Sequence, residues 1–426
     1  MPENSVPSGR AAKWPRGLRA KSFVVVALAG ALGCGPSLTS TREALPFAAA
    51  GVDAAPDPAL EGPYPVGVQT ITLVDDRRTE TNAAGVEGPR TFAIEVWYPA
   101  RESARDDDKE VIELFDELPA DLQEDFRPED LGSLPTLAVR NAPARQDADA
   151  GADVDVFPLV IFSHGKGGLR LQSTFYTAFL ASHGYVVAAP DHTGDTIVEL
   201  LREVKDSGNI QADSTVQAIV DRPLDVIAML DLLEDLLPED VAAVTDLSRV
   251  GMTGHSFGAL TSFLVATADS RIDVVVGQTP TSQDVIALQQ RTPLQEVSIP
   301  MVIQSAHLDQ TLPEDTNARP LYDTLTSSKA WLSLSRAGHF TYSDLCVLDV
   351  DAISAAVDLD VSNVLDDGCG PDAIPAPLAQ PAIRSSAIGA FNLHLRGSEG
   401  SGLFLTQAAL DKIAPGEGLL QSAEAQ

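Results

Sequence analysis

A short apolar run at 250–253 leads directly into Gly254-His255-Ser256-Phe257-Gly258, and a helical pattern opens at Phe257 and continues to Thr267. Strand, glycine-flanked serine and helix in immediate succession leave the chain few options. Two glycines let the backbone turn sharply and let strand and helix pack closely, which lifts the serine hydroxyl out over the end of a sheet. Without those flanking elements the same five letters would be an ordinary Gly/Ser turn. Apolar runs and helical patterns alternate around this point. Strands are expected at 158–162, 185–189, 272–276, 301–304 and 330–334. Helices are expected at 171–182, 216–236, near Leu321 and at 382–395. That alternation predicts a mainly parallel sheet with helices on both faces. Two further runs, 68–74 and 91–98, alternate with period two on either side of a turn containing Asn82 and Gly85, and should open the sheet as a hairpin. No repeat of solenoid or propeller length interrupts the pattern.

The chain begins with Arg10, Lys13, Arg16, Arg19 and Lys21, then an apolar stretch at 23–32, then Gly33-Cys34-Gly35. A membrane-spanning helix needs about 20 apolar residues, so this stretch reads as an export leader over residues 1–33. Ala29-Gly30-Ala31 fits one kind of cleavage site, and Ala31-Leu32-Gly33-Cys34 resembles a bacterial lipoprotein box. Cysteine counting favours the second. Of three cysteines, Cys346 and Cys369 lie close enough to pair in an oxidising compartment, which leaves Cys34 odd unless it is acylated. The expected organisation is therefore a leader, a flexible Ala/Pro/Ser-rich linker at 34–65, one folded domain at 66–398 and a C-terminal tail at 399–426. An acidic, helix-forming insertion at 101–155 would form either a surface helix or a cap over the site.

The chain carries 61 acidic and 29 basic residues, a formal charge of −32. A surface of that sign repels nucleic acid and anionic lipid headgroups, so membrane contact is expected only through the lipid anchor. A monomer is expected.

A serine hydroxyl is a weak nucleophile at neutral pH, so Ser256 requires a histidine base and an acid that orients it, in the chain order Ser, Asp, His. His164, His183, His192 and His255 come too early, and His394 falls in an apolar helical pattern. His307 and His339 remain. His339 follows a predicted strand in a loop, whereas His307 would need its acid from Asp269, Asp273 or Asp284, which favours His339. The acid is then sought after the preceding strand, where Asp309 stands; Asp315 and Asp323 are its competitors. Two backbone donors must face the oxyanion of an acyl-transfer intermediate. The N–H of Phe257 is one, and the loop Ser163-His164-Gly165-Lys166-Gly167-Gly168 supplies the other, placed on Lys166. That loop lacks the spacing of a phosphate-binding motif. The aspartates at 349, 351, 358, 360, 366 and 367 lack EF-hand spacing and are read as solvated acid. No metal or cofactor is implied.

Val96-Trp97-Tyr98-Pro99, the segment at 158–165, Ala-Ser-His-Gly-Tyr-Val-Val-Ala-Ala-Pro-Asp at 181–191, Asp221-Arg222-Pro223-Leu224-Asp225, the Ser256 turn and Gly338-His339-Phe340 together resemble bacterial predicted dienelactone hydrolases and platelet-activating-factor acetylhydrolases. Polyester-cleaving cutinases are more distantly similar. The resemblance implies an α/β-hydrolase fold, the triad Ser256, Asp309 and His339, and a serine esterase taking small-molecule or lipid esters. Dienelactone hydrolases proper use cysteine, so their substrate is not carried over. A non-catalytic binding protein that keeps the fold is the competing class.

Overall fold

The computed structural model describes residues 38–43, 56–81, 86–146, 156–207, 212–348 and 365–425. The expected leader, Cys34, residues 147–155 and the aspartates at 349, 351, 358 and 360 lie outside them.

Ten strands form one sheet: β1 (Val66–Thr81), β2 (Glu87–Pro99), β5 (Ala138–Arg140), β6 (Phe157–Ser163), β7 (Val186–Pro190), β8 (Thr245–His255), β9 (Ile272–Gln278), β10 (Met301–Ala306), β11 (Lys329–Leu334) and β12 (Gly418–Ala423). Two more, β3 (Val111–Glu113) and β4 (Ser133–Pro135), pair only with each other. The order across the large sheet is β12-β11-β10-β9-β8-β6-β7-β2-β1-β5. From β7 to β11 all neighbours are parallel, while β2 runs antiparallel to both β1 and β7. This is the mainly parallel sheet of the α/β-hydrolase fold.

Alternation along each central strand feeds two separate cores. In β6, Leu159 and Ile161 join one hydrophobic cluster and Val160 and Phe162 the other, all fully buried. The first face is covered by helices α3 (Ala212–Leu236) and α4 (Phe257–Ala268), through Val226, Met229, Leu233, Leu260 and Phe263. The second is covered by α1 (Thr174–Ser182) and α5 (Ala376–Arg396), through Phe179, Leu180, Ile388 and Phe391. A strand buried on both sides must read as a continuous apolar run, and each such side chain stabilises the fold by about 1.5–3 kcal/mol. No described helix is long and apolar enough to cross a membrane.

Three expectations are corrected. Residues 399–426 do not form a tail: helix α6 (Gln407–Ile413) and β12 fold back, β12 pairs antiparallel along all of β11, and Leu405, Leu410 and Leu420 are buried. An open edge on β11 would present unpaired backbone groups, which β12 satisfies. The described parts of the linker are also packed: Leu38 is buried, Arg42 pairs with Asp273, and the Tyr64 ring meets Phe157 edge-on at 5.3 Å. The insertion, finally, is no long helix but a series of helical segments of three or four residues and strands of three. Pro119, Pro128 and Pro135 and Gly132, with φ 73°, break any long helix. Its Leu118, Leu122 and Leu131 form a small core against Val198 and Leu201 of helix α2 (Ile197–Ser207), and β5 pairs with β1.

Candidate active site

Ser256 follows β8 with φ 56° and ψ −115°, a conformation that non-glycine residues avoid. The turn is held from both sides. Ser256 N–H donates to Gln278 O at 2.8 Å, and a Cβ on Gly258 would stand 1.8 Å from the Ser163 carbonyl oxygen. Glycine at 258 therefore lets α4 press against β6. Ser256 itself stays partly exposed.

The loops after β10 and β11 bring Asp309 and His339 to it. His339 Nε2 lies 2.8 Å from Ser256 Oγ, and His339 Nδ1 lies 2.8 Å from Asp309 Oδ2. A carboxylate accepts only, so the ring proton sits on Nδ1 and Nε2 faces the hydroxyl as an acceptor. Asp309 Oδ1 accepts from Leu312 N–H at 2.6 Å, which fixes the carboxylate plane. His307 stands apart: it is exposed and its ring faces Glu314 at 3.4 Å. Asp315 and Asp323 are exposed, and His394 is buried in α5, where desolvation lowers its pKa to about 4.

The Gly-rich loop after β6 lies against the serine turn and is gripped by one buried arginine. Arg222 Nη1 donates to His164 O at 2.5 Å and Nη2 to Gly165 O at 2.9 Å. Its guanidinium is 2.7 Å from Asp195 Oδ2 and sits 4.7 Å over the Phe257 ring. Asp195 Oδ1 in turn accepts from Lys166 Nζ at 2.6 Å. A trans peptide points its C=O and N–H in opposite directions. With His164 C=O on Arg222, Gly165 N–H points the other way and donates to Gln172 Oε1 at 2.7 Å. With Gly165 C=O on Arg222, the Lys166 N–H is likewise turned to the far side.

Gln172 continues the chain. Its amide Nε2 donates to His255 Nδ1 at 2.9 Å, so His255 carries its proton on Nε2 and donates to the carbonyl oxygen of His339 at 2.9 Å. Burial, then the neighbouring His339 ring, push His255 down to about 3 and keep it neutral.

A second Ser-His-Asp set lies beneath the loop. His192 Nε2 is 2.9 Å from Ser163 Oγ and His192 Nδ1 is 3.1 Å from Asp225 Oδ2. All three are fully buried. Burial alone would raise the Asp225 carboxyl, but its bonds to Arg90 and His192 hold it down at about 2; burial and then Arg222 lower His192 to about 4. Sealed from solvent and set on a regular strand, Ser163 braces the loop, and Ser256 is the serine placed to meet a substrate. Chain order set His164, His192 and His255 aside as bases. It gave no hint that all three hold the site together. The Asp-Arg-Pro-Leu-Asp motif at 221–225 was the available signal.

Cys346 and Cys369 form a disulfide. Beside it, Asp367 departs from the expectation of solvated acid: it is buried and accepts from His339 N–H at 2.9 Å, because the loop that carries His339 turns its backbone onto this carboxylate.

The fold is that of an α/β-hydrolase, with Ser256, His339 and Asp309 joined in one hydrogen-bonded line. The proteins to which the chain is similar include acetylhydrolases, cutinases and an esterase. Residues 52–207 match the family described as platelet-activating factor acetylhydrolase, isoform II, and residues 167–347 match the family described as PET hydrolase-like. Cutinase 1 of Thermobifida cellulosilytica is 27% identical over 188 residues, 44% of this chain and 62% of that one. The platelet-activating factor acetylhydrolase of Bos taurus is 30% identical over 176 residues, 33% of this chain and 37% of that one. The chain thus spans less than two thirds of the length of either relative. Among solved structures, a ferulic acid esterase from Streptomyces cinnamoneus is similar with a TM-score of 0.57 and 25% identity, over 78% of this chain and 91% of that one.

Proposed function

We propose that this protein is a serine carboxylic-ester hydrolase that works through an acyl-enzyme. The observation that carries the reading is the unbroken line Ser256 Oγ, His339, Asp309, with both contacts at 2.8 Å, on a strained and accessible turn. His339 Nε2 takes the hydroxyl proton as Ser256 Oγ bonds to the ester carbonyl carbon. The N–H groups of Phe257 and Lys166 receive the oxyanion, worth about 100- to 1,000-fold per donor in comparable enzymes. The tetrahedral intermediate collapses, the C–O bond to the alcohol breaks, and the alcohol leaves with the proton from His339. Water then attacks the acyl-enzyme with His339 again as base, and the carboxylic acid departs.

Two substrate classes are supported side by side. The acetylhydrolase-like match over 52–207 favours short-acyl phospholipids, and the match over 167–347, which contains Ser256, Asp309 and His339, favours polyester-type esters. An ester panel of p-nitrophenyl acetate and butyrate, an sn-2 acetyl phospholipid and a soluble polyester oligomer ranks them. Ser256→Ala should abolish turnover and fluorophosphonate labelling. Turnover by Ser256→Ala equal to the wild type would remove Ser256 as the nucleophile, and no turnover by the wild type on any ester of the panel would leave the reading of a binding protein that keeps the fold.

The disulfide fits an exported protein. Anchoring through acylated Cys34 is part of the same reading. Mass spectrometry of the mature N-terminus tests it, since an unmodified chain retaining Leu32 would contradict the anchor.

A further inference from the structure

We propose that Asp367 is a positioning residue that sets the geometry between Asp309 and His339, a role that rests on the serine-hydrolase reading of the site. Its carboxylate is buried and fully used. Oδ1 accepts from His339 N–H at 2.9 Å and from Gln310 N–H at 3.0 Å. Oδ2 accepts from Thr311 N–H at 2.9 Å and Thr311 Oγ at 2.8 Å. One side chain therefore grips the backbone beside the acid and the backbone of the base itself. The two loops leave different strands, β10 and β11, and the 2.8 Å contact between Asp309 and His339 depends on their relative placement.

The surrounding segment shows the same close fit. A Cβ on Gly338 would lie 2.3 Å from the Asp367 carbonyl carbon, so the base loop and the 366–369 segment touch backbone to backbone. Gly368, with φ 125°, lets the segment turn there, and its carbonyl oxygen accepts from Thr341 Oγ at 3.3 Å. Cys369 then bonds to Cys346, past the base loop. The disulfide thus tethers the segment, and Asp367 converts the tether into a fixed distance between two catalytic groups. Four donors converging on one buried carboxylate is more than solvation or local turn geometry requires. A shift of about 1 Å in such a pair can cost about 100-fold in rate.

The test compares Asp367→Ala and Asp367→Asn with the wild type on p-nitrophenyl butyrate, each below its own Tm and with the disulfide verified by mass. Asp366→Asn, an exposed neighbour, is the control for charge. For Asp367→Ala, kcat and the rate of fluorophosphonate labelling should fall about 10- to 100-fold with KM within about threefold, and the downfield proton signal of His339 Nδ1–H should shift or broaden. Asp367→Asn keeps the shape but sets an N–H group against the donors on one side, and should fall between. Asp366→Asn should match the wild type. Wild-type kcat with an unmoved proton signal in either Asp367 variant overturns the proposal. If Asp367→Ala does not fold, Asp367→Asn decides by the same criteria. If instead Ser256→Ala keeps full turnover, the hydrolase reading itself fails, whatever Asp367 does.

Discussion

His255 Nε2 donates to the backbone carbonyl of His339 at 2.9 Å, so the residue before Ser256 holds the loop that carries His339. Burial keeps that ring neutral down to about 3. His255→Leu, which deletes the bonds to both His339 and Gln172, should lower kcat about tenfold with little change in KM, as expected for a loosened base. Steady-state kinetics on p-nitrophenyl butyrate read this directly.

Arg222 aligns the loop that presents Lys166, so Arg222→Met should cost about 100-fold in kcat, the scale of one lost oxyanion donor. It also removes one of the two cations on buried Asp195, and because Lys166 stays paired the cost should fall below the about 3–5 kcal/mol of a fully unpaired buried charge. Arg222→Lys should recover stability better than rate, because an ammonium cannot span two carbonyls and a carboxylate in one plane. Urea unfolding and kinetics on the same samples separate the two effects.

Asp344 is buried while accepting from Thr174 N–H and Oγ, and burial raises its carboxyl to about 6. A folded-state value above the unfolded one favours the protonated form in the fold. The associated stability is full below the ordinary aspartate value of 3.8 and lost as pH rises through about 6. The loss is about 3 kcal/mol at most. Asp344→Asn should remove that part of the pH dependence, so its stability relative to the wild type should rise between pH 4 and 6 and then level off. Denaturant melts across this range test the sign.

The Cys346–Cys369 bridge closes a loop with a sequence separation of 23. Replacing both cysteines by serine should destabilise the protein by about 3 kcal/mol through the unfolded chain. Thermal unfolding with and without reductant should show the wild type alone responding to reductant.

The strand-turn-helix at Ser256 and the placement of Asp309 and His339 after β10 and β11 were legible because each depends on local signals: an apolar run, a pair of glycines, a polar residue just past a strand. The C-terminal segment was not, since Leu405, Leu410 and Leu420 show no clear period and gain their meaning only beside the open edge of β11. The insertion misled for a related reason. Its acidic, leucine-containing composition suits a helix, but prolines cut it into pieces too short for more than about one turn.

What the sequence determined by itself was the order of elements and the choice of Ser256, Asp309 and His339 as candidates that the fold brings into contact, because backbone preference and chain order act over a few residues. Only tertiary structure decided the rest. It set Ser163, His192 and Asp225 apart from Ser256, His339 and Asp309, two sets with the same chemistry that burial assigns to different tasks. It also turned Arg222 and Asp367 from unremarkable charges into clamps, because a charged group taken out of water must find all its partners, and those partners come from strands far apart in the chain.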